Sequence, residues 1–259
     1  MNRTHYSHLI GLKFFILIAW LGLQACNQPE TTRVSVMPLV DEAALHFRGF
    51  VTNVNGDLVS DIKKFTRTAI RRDTSDGKTE FVYISESQKT PFYTDEAGTV
   101  WERATQDLRL RVLAYDLSLR TPIILSYWEP LLKVNKGKGT KWEVTVDTTF
   151  DAIDRKGETQ RIRYLYKGKA RYEGWTEVTV PESKKPYRAM TAYWYAANTF
   201  ITNATSGDSL FVSRGWARQY FTPELGAIKY MTDFTKSEIG QKPVSLRGTW
   251  ELMGKNIPN

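Results

Sequence analysis

The chain has 259 residues and a formal net charge of +8, from 36 basic and 28 acidic side chains. A single cysteine excludes disulfides within the chain, so stability has to come from a core, and aromatic residues at 13 % of the sequence supply material for one. Only one of the three histidines, His46, lies beyond residue 25, and one imidazole with the lone thiol cannot supply a zinc site; no metal or cofactor is expected.

Residues 1–25 contain no acidic side chain. Arg3 and Lys13 provide a positive start, and Phe14–Leu23 provides an apolar run. That run is shorter than the roughly 20 residues that cross a bilayer and fits the roughly 7–15 of a secretory signal. Residues 1–25 are therefore expected to be a signal peptide. Leu23-Gln24-Ala25-Cys26 resembles the bacterial lipobox. The resemblance implies cleavage after Ala25, a lipid on Cys26 and a membrane-anchored lipoprotein of the cell envelope. Asn27, in place of aspartate, favours the outer membrane over the inner in the familiar sorting rule. Acyl chains hold such an anchor at about 0.8 kcal/mol per buried methylene. Residues 26–37 read as the lipidated cysteine and a tether, and residues 38–259 as one antiparallel β domain.

Arg3 and Lys13 are two of the 36 basic residues, so the charge beyond the leader is two lower, +6. The excess lies in RTAIRR (67–72), KVNKGKGTK (133–141) and KGETQRIRYLYKGKAR (156–171), always among turn residues or strand alternation. It reads as a solvated face, and no nucleic-acid partner is expected.

After Pro38, LVDEAALHF is the best helix candidate. Beyond it, period-2 alternation dominates. KKFTRTAIRR and KTEFVYISES flank a turn with Asp76-Gly77, a hairpin signature, and PFYT and TVWERA flank DEAG. DLRLRVLAYDL (107–117) alternates cleanly. TPIILSYWEPLL and KWEVTVDTTF bracket NKGKGT (135–140), and TFDAID and TQRIRYLY flank DRKGE. KARYEGWTEVTVP, YRAMTAYWYAANTF, DSLFVSRGWARQYFT, GAIKYMTDF and VSLRGTWELM follow. About a dozen strands at spacings of about 8–15 residues predict an all-β fold. The expected form is a strongly twisted antiparallel sheet or partly closed barrel, with at most one short helix. A break near 135–140 would divide it into halves, but that stretch has no linker composition, and a single domain is expected.

Three segments resemble a recurring pattern in uncharacterised bacterial envelope and lipoprotein β domains. They are Pro130-Leu131-Leu132 with Gly139 and Trp142, residues 177–194 with their Val-Pro turn and aromatic-led strand, and residues 216–234. The last holds Tyr220-Phe221-Thr222-Pro223, Gly226, Ile228 and Lys229. The resemblance implies a twisted, partly closed sheet with no established activity, and related-looking half-barrels that hold acyl chains in a concave face.

Catalytic signatures are absent. His46 is the only histidine beyond the leader and, between Leu45 and Phe47, reads as half-buried; no Gly-x-Ser-x-Gly elbow occurs. Gly77-Lys78-Thr79 ends like a P-loop, but Arg72 stands where the first glycine belongs. Asp147 and Asp151 fall on one strand face and are the only pair suggestive of glycan hydrolysis; with Asp154 they also suggest a surface calcium site. Lys229 reads as a solvated lysine after a Pro-Gly turn. Tyr193 and Tyr195 fall on one face of their strand and Trp194 on the other; with Trp216 and Tyr220 they are the candidate ligand-binding residues.

The sequence thus leads us to expect a lipoprotein that is not an enzyme and acts by binding. Its partners are membrane lipid through Cys26 and either a hydrophobic small molecule, such as an acyl chain in the concave face, or an envelope protein. The alternatives are a ligand-free structural or interaction module and, third, a glycan-acting hydrolase.

Overall fold

The computed structural model describes residues 40–73, 79–85, 88–108, 117–119, 121–134, 136–238 and 240–258. The leader, Cys26, the tether, the P-loop-like lysine and most of the predicted strand at 107–117 lie outside them. The described residues contain no helix.

Twelve strands run in chain order: β1 (Ala44–Asn53), β2 (Lys63–Asp73), β3 (Thr79–Ser85), β4 (Gln88–Thr94), β5 (Thr99–Asp107) and β6 (Ile124–Lys133), then β7 (Lys141–Ile153), β8 (Thr159–Val178), β9 (Tyr187–Asn203), β10 (Ser209–Thr222), β11 (Gly226–Glu238) and β12 (Val244–Asn256). They form one antiparallel sheet in the order β6-β5-β4-β3-β2-β1-β12-β11-β10-β9-β8-β7. Each strand pairs with its chain neighbour except β6 and β7, and β1 pairs with β12, so the sheet is nearly closed into a barrel with its seam between β6 and β7.

The seam falls at NKGKGT, which reads as a hairpin turn in the sequence but joins two strands that share no ladder. The turn is pinned to β8 instead: Gly139 N–H donates to Tyr172 O at 2.8 Å, and Tyr172 N–H donates to Thr140 O at 2.8 Å. At the other end of β7, Ser118 and Ile153 exchange backbone bonds of 2.8 and 2.7 Å, which ties residues 117–119 to the open edge.

Two other expectations are corrected. LVDEAALHF is no helix: its second half begins β1, where Leu45 and Phe47 turn inward against β2 and β12. Pairing on both sides gives this segment ladder hydrogen bonds to two strands, whereas one or two isolated helical turns are marginal in water. TQRIRYLY and KARYEGWTEVTVP form one strand of 20 residues, β8. Gly168 is no turn; a Cβ there would come within 2.7 Å of the Trp194 ring, so glycine lets β9 lay that indole across β8.

Alternation fills the interior with two apolar clusters. The larger contains Leu45, Phe47, Leu132, Trp142, Met190, Trp194, Phe221 and Leu252, and the smaller contains Leu108, Leu117, Phe150, Ile162, Tyr164 and Ile201. The outer face of β7 and β8 is charged along its length: Asp147 pairs with Arg163, Asp151 with Arg161 and Glu143 with Lys169. A membrane-spanning barrel instead turns an apolar band outward.

Candidate ligand site in the barrel lumen

On the inner face Ala69 of β2 pairs with Tyr83 of β3, whose ring meets Phe92 of β4 edge-on at 4.9 Å; Phe92 pairs with Glu102 on β5 and Glu102 with Glu129 on β6, and Arg67 lies two residues before Ala69. These polar side chains meet a cavity of about 290 Å³, also lined by Tyr83, Tyr166, Trp194, Gln219, Tyr230 and Trp250. Small residues, Ala197, Ala217, Gly226 and Ala227, form part of the wall and leave the space open.

The Arg67 guanidinium lies over three rings, 5.0 Å from Trp250 and 5.6 Å from both Phe47 and Phe65. These rings offer their negative faces to the cation and remove water from it. No carboxylate comes within ion-pair distance of Arg67 among the described residues, although the Glu102 charge opposes the lowering of the guanidinium's pKa by burial.

Glu102 and Glu129 are register partners on the inner face, which places their Cβ atoms about 4.5–5.5 Å apart. Burial raises the pKa of Glu102, and Arg67 partly counters it. Burial, and then the Glu102 charge, push Glu129 up to about 7. Two carboxylates placed this way do not both ionise freely, so the pair holds a proton near neutrality. Burial likewise pushes the Tyr83, Tyr127 and Tyr166 phenols well above their ordinary value.

Glu102, Glu129, Arg67, Tyr127 and Tyr166 have no hydrogen-bond partner in the protein among the described residues, and the Oε1 atom of Gln219 is buried without one. Nearby, Tyr164 donates to Gln106 Oε1 at 2.5 Å, which satisfies that phenol beside the smaller cluster.

Of the five residues singled out in the sequence, only Trp194 lines this cavity, packed edge-to-face at 6.0 Å on Trp142. Tyr193, Tyr195 and Trp216 meet on the outer face, with ring centroids 6.4 and 6.0 Å from Tyr193. Arg171 and Arg218 lie over Tyr193 at 5.2 and 4.8 Å. Tyr220 lines a separate open groove with Arg171, Glu173, Trp175 and Arg218. The concave and convex faces therefore divide the predicted set.

Other candidates resolve into structural roles. Asp147 and Asp151 face outward on β7, each bound to its arginine, so they do not flank a cleft. Asp154 accepts from the backbone N–H groups of Lys156 and Glu158, closing its own turn and leaving no shared calcium cage. Among the described residues no group of three acidic, histidine or cysteine side chains converges. His46 is exposed, not half-buried, because its neighbours Leu45 and Phe47 take the inward positions; its Nδ1 lies 2.9 Å from Thr66 Oγ1. Lys229 is not free in solvent: it pairs with Glu251 at 3.1 Å, and Glu251 also accepts from Arg48. Arg67 leaves the solvated face assigned to RTAIRR and enters the lumen.

Sequence reasoning missed Arg67, Glu102 and Glu129 because an inward charge inverts the pattern by which strand faces are assigned. The available signal was register: Phe65-Arg67-Ala69 places the arginine on the side of a phenylalanine and an alanine. Compared with family models, curated proteins and solved structures, the chain shows no significant match to any of them.

Proposed function

We propose that this chain is an exported lipoprotein of the bacterial envelope, anchored through Cys26, that binds a small polar molecule inside its barrel. One observation carries the reading: a cavity of about 290 Å³ into which Arg67, Glu102, Glu129 and Tyr166 project with no hydrogen-bond partner among the described residues. Burying charge costs several kcal/mol per group unless hydrogen bonds and opposite charge replace the lost water. Keeping three such groups around one space suits a site completed by a ligand. The size lies just below the usual range of small-molecule pockets, about 300–1,000 Å³, which suits a small ligand. An acyl chain suits the site less well, because its methylenes would lie against Arg67, Glu102 and Glu129. Leader and lipobox support the location.

A stability measurement separates a ligand site from a structural network. Breaking a buried ion pair costs about 3–5 kcal/mol, whereas removing a charge kept for a ligand leaves the empty protein unchanged or stabilises it. Glu129→Leu is expected to raise the denaturation midpoint of the ligand-free protein at pH 8. A loss of about 3 kcal/mol would assign the lumen charges to structure alone.

The outer cluster of Tyr193, Tyr195, Trp216, Arg171 and Arg218 favours a second reading, a surface for an envelope protein, since aromatic and arginine side chains dominate interface energetics.

A further inference from the structure

We propose that the lumen ligand is a small organic cation, a primary amine carried on an apolar or aromatic body. This inference rests on the lumen reading and names its ligand class. Among the described residues two acids face the cavity against one base. The base already lies over three rings, at 5.0–5.6 Å from Trp250, Phe47 and Phe65. Glu102 and Glu129, opposed across a ladder, have no such company. Like charges directly opposite are destabilising, and an ammonium group between them relieves that repulsion with charge-assisted hydrogen bonds.

The unpartnered Gln219 Oε1 adds a further acceptor at the cavity wall. A wall of Trp194, Tyr166 and Tyr230 suits a cation or an aromatic body, and Ala197, Ala217 and Ala227 leave room for that body. A divalent metal fits less well: two carboxylates are too few protein ligands, and no third acidic, histidine or cysteine group converges among the described residues.

Binding is coupled to pH. Glu129 shares the cavity with Glu102 from β5, Arg67 from β2, Tyr83 from β3, Tyr166 from β8 and Tyr230 from β11, and Tyr127 precedes it on its own strand. A primary amine stays protonated across neutral pH, its pKa lying near 10. The ammonium therefore displaces the proton held by the glutamate pair.

The test uses three probes with one body and three charges, 2-phenylethylamine, 2-phenylethanol and phenylacetate, titrated calorimetrically into the full chain in detergent. The expected result is binding of the amine at least tenfold tighter than the alcohol, tightening roughly tenfold from pH 6 to pH 8. Glu102→Gln with Glu129→Gln should remove that preference, and Ala217→Leu, which narrows the lumen, should weaken the amine. Preference for phenylacetate, lost in Arg67→Met, would overturn the cation assignment and leave the lumen as an anion site. Amine binding unchanged in Ala217→Leu and in the double variant would place it outside the barrel and overturn the inference. No binding of any probe at millimolar concentration would also overturn it, while the lumen reading is judged separately by what the native protein carries.

Discussion

At Glu129 a carboxyl faces Glu102 inside the barrel, and its pKa of about 7 carries a consequence for folding. The unfolded chain releases that proton near the ordinary carboxylate value, so between the two values the native state holds more protons than the unfolded state. Stability is therefore greatest below the unfolded value and declines as pH rises through about 7, the reverse of a salt-bridged acid. At about 1.4 kcal/mol per pKa unit, the decline is about 3 kcal/mol at the upper end. Thermal unfolding should show the wild type losing stability from pH 5 to pH 8. Glu129→Gln should lose distinctly less and be the more stable protein at pH 8. Equal slopes for the two proteins would mean that Glu129 ionises as an ordinary surface acid. Arg67 and Glu102 explain why this site was hidden in the sequence. Arg67 shares its side of β2 with Phe65 and Ala69, yet a charge there is read as solvent-facing until the register across several strands shows that this side is the inside.

At the scale of the element, the hairpins were legible because their signals are local. Asp95 accepts from Thr99 N–H at 2.8 Å, and Gly98 takes φ +76°, as the DEAG turn requires. The β7–β8 hairpin is closed in the same way by Asp154 and Gly157. Strand β1 was not legible: an apolar Ala44 stands on the same side as His46 and blurs the alternation, and the partners that fix the strand come from β2 and β12. Nor could the sequence show that β6 and β7 share no ladder, since a glycine-rich turn looks the same in either case.

Close approach makes one glycine indispensable. A Cβ at Gly215 would sit 2.3 Å from Asp233 O and 2.8 Å from Phe234 Cβ, whereas one at Gly49 would meet nothing nearer than 3.7 Å. Gly215→Ala should cost about 1–3 kcal/mol in denaturant unfolding as β10 and β11 are forced apart, and Gly49→Ala about 0.5 kcal/mol or less. A Gly215→Ala protein as stable as the wild type would show that the β10–β11 ladder shifts freely.

For the molecule as a whole, the barrel separates two kinds of surface. The outer face carries ladders of ion pairs and an arginine–aromatic cluster, and the lumen carries Arg67, Glu102 and Glu129 with no ion-pair partner among the described residues. Exposed pairs such as Asp147–Arg163 contribute little to stability, about 0–1 kcal/mol each, so the apolar clusters hold the fold and leave the lumen groups available for binding. Native mass spectrometry of the protein purified from bacterial envelope membranes in detergent tests this most directly, with the same sample weighed again after denaturation. We predict a denatured mass that fits cleavage after Ala25 and acylated Cys26, and a native mass larger by one small molecule that is absent from Ala217→Leu. Identical native and denatured masses, in a protein whose Ala217→Leu variant is equally folded, would contradict the lumen as a ligand site.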